Sequence, residues 1–112
     1  PSHNTFDCTL VCRMAQQASS MVTQSVDAFV RRDVYLARSV AGQDDLVDED
    51  FTAVKQALIA AIAREPGQGE VALDLLMIAK YFERIGDHAV NLSEWVEFSV
   101  TGVHKHDGVE YE

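Results

Sequence analysis

Two sets of acidic residues in this chain are spaced as cation ligands on helices are spaced. Glu83 and Asp87 lie four residues apart, and Asn91 and Glu94 continue the series at four and three. On a helix turning roughly 100° per residue these groups fall in one narrow stripe. On an exposed helix like charges one turn apart cost a few tenths of a kcal/mol. This stripe, however, sits on the shoulder of an apolar arc, close in phase to Ala72, Leu76, Ala79 and Val90, and so at the rim of a packed interface. Two carboxylates about 6 Å apart at an effective dielectric near 20 repel by roughly 3 kcal/mol, enough to demand a proton, an arginine or a metal ion between them. The plainer reading is a solvated acidic face with Arg84 and His88 nearby.

The second set lies in Gly-Gln-Asp-Asp-Leu-Val-Asp-Glu-Asp at 42–50. Asp44 and Asp48 are one turn apart on the shoulder of their own apolar arc, in phase with Ala37 and Ile62, while Asp45, Glu49 and Asp50 point elsewhere. The same carboxylate pair, on the same side relative to the core, thus recurs on two segments. All-oxygen donors on helices suit a hard ion such as Mg²⁺, Ca²⁺ or Mn²⁺, and iron and zinc also accept carboxylates. His88 follows Asp87 by one residue and points roughly 100° away, which makes it the weaker ligand. Asn91 is better turned, either to steady a carboxylate or to bond between helices.

Three helical patterns must position these groups. The first spans about 6–31, with Phe6, Leu10, Met14, Ala18, Met21, Val22, Ser25 and Phe29 on one face. Its methionines read as core filler. Arg31 and Arg32 suit the negative end of that helix, and Asp33 can cap the next. The second spans about 33–64, with its seam at Leu36, Val40, Val47, Phe51, Val54, Leu58 and Ala61 and a weak point at Gly42. Glu65-Pro66-Gly67-Gln68-Gly69 breaks the chain. The third spans about 70–100, its seam at Phe82, Ile85, Ala89 and Leu92, with a second seam at Ala72, Leu76, Ala79, Gly86 and Val90. Short links between long helices make an all-α, antiparallel three-helix bundle, with residues 1–112 as a single domain.

Composition narrows the function. With 112 residues and 47% hydrophobic content the chain can bury one core. A net charge of −9 with no basic patch disfavours nucleic acid and anionic lipid and favours cations and basic protein surfaces. No apolar run reaches the roughly 18 residues of a membrane span and no signal-peptide pattern opens the sequence, so a soluble, cytoplasmic protein without membrane insertion is expected. The chain opens on Pro1, which fits a fragment of a longer protein. Cys8 and Cys12, one turn apart, read as buried unpaired thiols, and the His104-x-His106 tail as a surface segment with some capacity to touch a metal.

The segment Glu-Arg-Ile-Gly-Asp-His-Ala-Val-Asn-Leu at 83–92, preceded by Ala79-Lys80-Tyr81-Phe82, resembles the signature helix of PhoU proteins, regulators of bacterial and archaeal phosphate uptake. Asp33 followed by Ala37, and Asp44-x-x-Val47-Asp48, resemble that family's second helix, and Trp95-Val96-x-Phe98-x-Val100-Thr101-Gly102 the end of its C-terminal repeat. The resemblance implies metal-binding carboxylate pairs, here Asp44 and Asp48 facing Glu83 and Asp87, with iron or zinc as the metal. Asn91, Asp33, His88 and Glu94 would support them from behind. It implies a regulatory adaptor with a phosphate ABC transporter ATPase and a sensor histidine kinase as partners, restraining phosphate-starvation genes, and not an enzyme. The family usually carries two bundles where this chain has one; a cut, or a homodimer, would account for that, and either leaves an apolar interface to be covered. Two other readings stand beside it: a metal-free structural bundle, and a di-metal carboxylate enzyme. The enzyme would want Glu-x-x-His pairs, and neither Glu83 nor Asp48 has a histidine three residues on.

Overall fold

The computed structural model describes residues 6–104 and 109–110. Three helices, α1 (Thr9–Arg31), α2 (Val34–Arg64) and α3 (Gly69–Thr101), run antiparallel, and each packs on the other two. Helices of 31 and 33 residues rising about 1.5 Å per residue make a rod, with extents of 58 × 25 × 16 Å. A single turn of 3₁₀ helix, Pro66–Gln68, joins α2 to α3. After α3 a two-residue strand, β1 (Val103–His104), pairs antiparallel with β2 (Val109–Glu110). His106 and the side chain of His104 lie outside the described residues, and with them the expected His-x-His contact.

The helix ends follow from local chemistry. The α1 pattern begins at Phe6, but the helix starts three residues later: the Asp7 carboxylate accepts from the Thr9 backbone N–H at 2.9 Å and from its hydroxyl at 2.6 Å, holding the entry as a turn. At its far end Arg32 takes a left-handed conformation (φ 54°), while Asp33 N–H donates to the Ala28 carbonyl and Arg32 N–H to that of Phe29. Asp33 then caps α2, its carboxylate accepting from Leu36 N–H at 3.0 Å. Gly102 (φ 77°) closes α3, its N–H reaching the Phe98 carbonyl at 2.8 Å.

The core is narrower than the sequence suggests. Met14, Ala18, Met21 and Ala28 of α1, Ala37, Val40 and Val47 of α2, and Ala79, Ala89 and Val96 of α3 are buried. Val22 and Phe29, expected on the α1 seam, are exposed at 36% and 60%; Ala28 takes the inward place, because a smaller side chain lets α1 approach its neighbours. On α3 the buried line mixes the two expected seams: Ala89 of the first is buried with Ala72, Ala79 and Gly86 of the second, while Leu76 and Val90 of the second are half-buried. Phe82, Ile85 and Leu92 are only half-buried flanks, whereas Ala72, Ala79, Gly86, Ala89 and Ser93 line the contact. Small residues there bring the helices close enough for the buried Ser25 hydroxyl to donate to the Ala89 carbonyl at 3.1 Å as well as to that of Met21 at 2.9 Å. Cys8 is half-buried, but Cys12 is exposed, contrary to expectation, and the two are not bridged.

Polar ties fix the rotation of each helix. Arg13 of α1 forks onto the buried Asp50 of α2, with Nε at 2.9 Å from Oδ2. Arg38 of α2 pairs at 3.1 Å with the buried Glu97 of α3. The Gln43 amide of α2 exchanges hydrogen bonds with Gln24 and accepts another from Gln17, both on α1. With α2 locked on both sides, its face bearing Asp44 and Asp48 is held against α3.

Candidate metal centre

Asp44 and Asp48 project from successive turns of α2, and Asp87 from the facing stretch of α3. One carboxylate oxygen from each lies within 4.8 Å of the others. The Asp44 oxygen Oδ1 is buried and has no hydrogen-bond partner. It rests against Gly86: a Cβ placed there would stand 3.1 Å from it. A polar atom in such a place is costly, of order 1–3 kcal/mol, unless something satisfies it.

The charges respond to one another. Burial first, and then the neighbouring carboxylates of Asp48, Asp87, Asp45 and Glu83, push the Asp44 carboxyl up from 3.8 to about 6. Asp48 lies nearer the rim, and its carboxyl is also raised, by partial burial and then by the neighbouring charges of Glu83 and Asp87. Three acid groups at this spacing cannot all ionise freely without a counter-charge, and an all-oxygen set has the donor chemistry that a hard divalent cation takes.

Glu83 is placed differently from the other three. Its charge acts on Asp48 but it is not part of the three-way cluster, and its carboxylate is held at 2.5 Å by Lys80, one turn back on α3. The Lys80 ammonium also sits 5.2 Å above the Phe51 ring of α2, which anchors it at the rim. The supporting residues scatter. Asp33 is spent on the α2 cap, eleven residues or about 16 Å of helix from Asp44, and so does not stand behind the ligands. His88 and Asn91 are exposed, and Glu94 is half-buried about 10 Å of rise beyond Asp87. Among the residues sequence reasoning passed over, Lys80 carried a signal in its i, i+3 spacing to Glu83. Glu97 carried one too, a carboxylate adjoining the buried Ser93 and Val96 positions that needed a cation across the interface.

Comparison with known proteins identifies the family of the bundle. The family model for the PhoU domain matches residues 11–96, which takes in most of all three helices and every residue of the cluster. A phosphate-specific transport system accessory protein PhoU homolog of Caulobacter vibrioides is 33% identical over 90 residues, covering 80% of this chain and 39% of the relative. The proteins of the same name from Zymomonas mobilis (37% over 89 residues, 80% of this chain and 38% of the relative) and Pseudomonas aeruginosa (35% over 92 residues, 82% and 38%) are similarly placed. The chain therefore spans about two-fifths of the length of these relatives. With the matched region covering most of the bundle and its acidic pairs, this chain belongs to the PhoU domain family.

Proposed function

We propose that this chain is a non-catalytic, cation-supported adaptor of a phosphate-transport system, controlling phosphate uptake and phosphate-starvation signalling. The relatives named as accessory proteins of phosphate-specific transport support the system it serves. The observation that carries the cation is the buried, unpartnered Oδ1 of Asp44 beside Asp48 and Asp87. In this reading those three carboxylates are the ligands. Glu83 joins them by exchanging its Lys80 partner for the cation, at the cost of the Lys80 ion pair. The cation supplies the counter-charge that lets the acids ionise together and ties α2 to α3.

The adaptor works by surfaces. A chain of net charge −9 meets basic faces readily, which fits the transporter ATPase and the sensor histidine kinase as partners and a cytoplasmic setting. No helix among the described residues is long and apolar enough to cross a membrane. Exposed apolar side chains at successive turns, Leu73, Met77 and Tyr81 on α3, support packing against a second bundle, as in a homodimer.

The test is uptake of cation by the purified chain. Elemental analysis after exposure to Mn²⁺, iron and zinc, followed by gel filtration, is expected to find metal bound to wild type and none on the Asp44→Asn, Asp48→Asn double variant. Metal content that survives in the variant, at an unchanged melting temperature, would sink the assignment of these ligands.

A further inference from the structure

We propose that Gly86 is a positioning residue of the carboxylate cluster: its missing side chain leaves Asp44 the room to hold its inner oxygen at the α2–α3 contact, so position 86 sets cation affinity without touching the cation. This rests on the cation reading given above.

Glycine inside a helix destabilises it relative to alanine, so its place in the middle of a 33-residue helix needs a reason. Helix packing does not supply one. A methyl group on residue 86 would meet Val47 Cγ1 and Cγ2 at 3.6 and 3.7 Å, ordinary contact distances, so the α2–α3 contact accepts alanine. Only the Asp44 carboxylate does not, because its Oδ1 would lie 3.1 Å from the new carbon. That is the same buried oxygen that lacks a hydrogen-bond partner. To relieve the contact Asp44 must withdraw by a few tenths of an ångström, and Asp48 and Asp87 stay where they were. A ligand displaced on one side of a three-carboxylate set loses affinity even when the fold is intact. Gly42 of α2 provides the control, since a Cβ there meets nothing within 4 Å.

The experiment titrates Mn²⁺ into the whole chain, reading free ion by electron paramagnetic resonance, and measures melting separately in chelator. Without the ion, Gly86→Ala and Gly42→Ala are both expected to melt about 4 °C above wild type, the gain from replacing a helical glycine. With the ion, only Gly86→Ala should weaken binding, by about 10- to 100-fold, the range for residues that orient metal ligands. Wild-type affinity in Gly86→Ala overturns the assignment, and so does a Gly86→Ala chain that melts below wild type or fails to fold, which would place the constraint in helix packing. A wild-type chain that takes up no Mn²⁺ removes the cation reading itself and this assignment with it, so the two failures are told apart by the wild-type titration.

Discussion

Asp44 holds a carboxyl group where neither a donor nor water reaches one of its oxygens, and its proton affinity rises to about 6 as a result. The sign of the consequence follows directly. A carboxyl with pKa 3.8 unfolded and about 6 folded binds its proton more tightly in the native state, so its contribution to stability is full below about pH 4 and is lost as pH rises through about 6. After discounting for solvent screening the loss is on the order of 1 kcal/mol. In chelator, melting of wild type relative to Asp44→Asn is therefore expected to fall between pH 4 and pH 7. Added Mn²⁺ should restore it at pH 7, where the carboxylates are ionised and available. A difference between the two proteins that is flat across this range would show that Asp44 is solvated. Ser25 makes a second residue-scale case. Its hydroxyl serves two carbonyls in a fully buried place, so Ser25→Val, which removes the donor and adds bulk, should cost about 2–3 kcal/mol in urea unfolding, and Ser25→Ala about 1.

At the scale of elements, the joint between α1 and α2 is two residues long and turns on Arg32, a non-glycine residue at φ 54°. A side chain in that region costs roughly 1 kcal/mol, and the residue is exposed, so Arg32→Gly should stabilise the bundle by about 0.5–1 kcal/mol in denaturant unfolding. The opposite result would show that the Arg32 side chain has a function at this corner. Between α2 and α3 the alanine and glycine positions hold the helices near one another. Ala79→Leu would push them apart at the level of Lys80, Glu83 and Phe51, with an expected loss of about 1–3 kcal/mol and weaker Mn²⁺ uptake measured in the same titration. Retained uptake in a destabilised variant would mean that the cluster tolerates a wider helix spacing.

For the molecule as a whole, a slender rod with a charge of −9 carries apolar ridges that no described residue covers: Leu73, Met77 and Tyr81 on α3, and Val22, Val26 and Val30 on α1. Such ridges at turn spacing are the side that a helix offers to another helix. Sedimentation velocity is expected to show concentration-dependent dimers that dissociate when Met77 and Tyr81 are replaced by lysine and glutamate. Monomers at all concentrations for wild type would instead assign the ridges to a segment or partner outside this chain.

Helix number, antiparallel order and the pairing of acids on α2 and α3 were legible in the sequence, because turn spacing and breaker residues act over a few residues and do not depend on neighbours. Asp44, Asp48 and Asp87 could be picked out for that reason. What the sequence could not decide was rotation. Phe29 and Ala28, or Ile85 and Gly86, are adjacent in the chain and differ by about 100° on the helix, and which of them faces inward depends on how closely three rods approach. The small seam won because alanine, glycine and serine permit closer contact, and that closeness is what seats Asp44 Oδ1 on Gly86 and leaves Glu83 to Lys80. Asp50 and Glu97 likewise look like surface acids until Arg13 and Arg38 are brought across from other helices. Long-range partners of this kind exist only in the folded molecule, since no spacing along one helix encodes them.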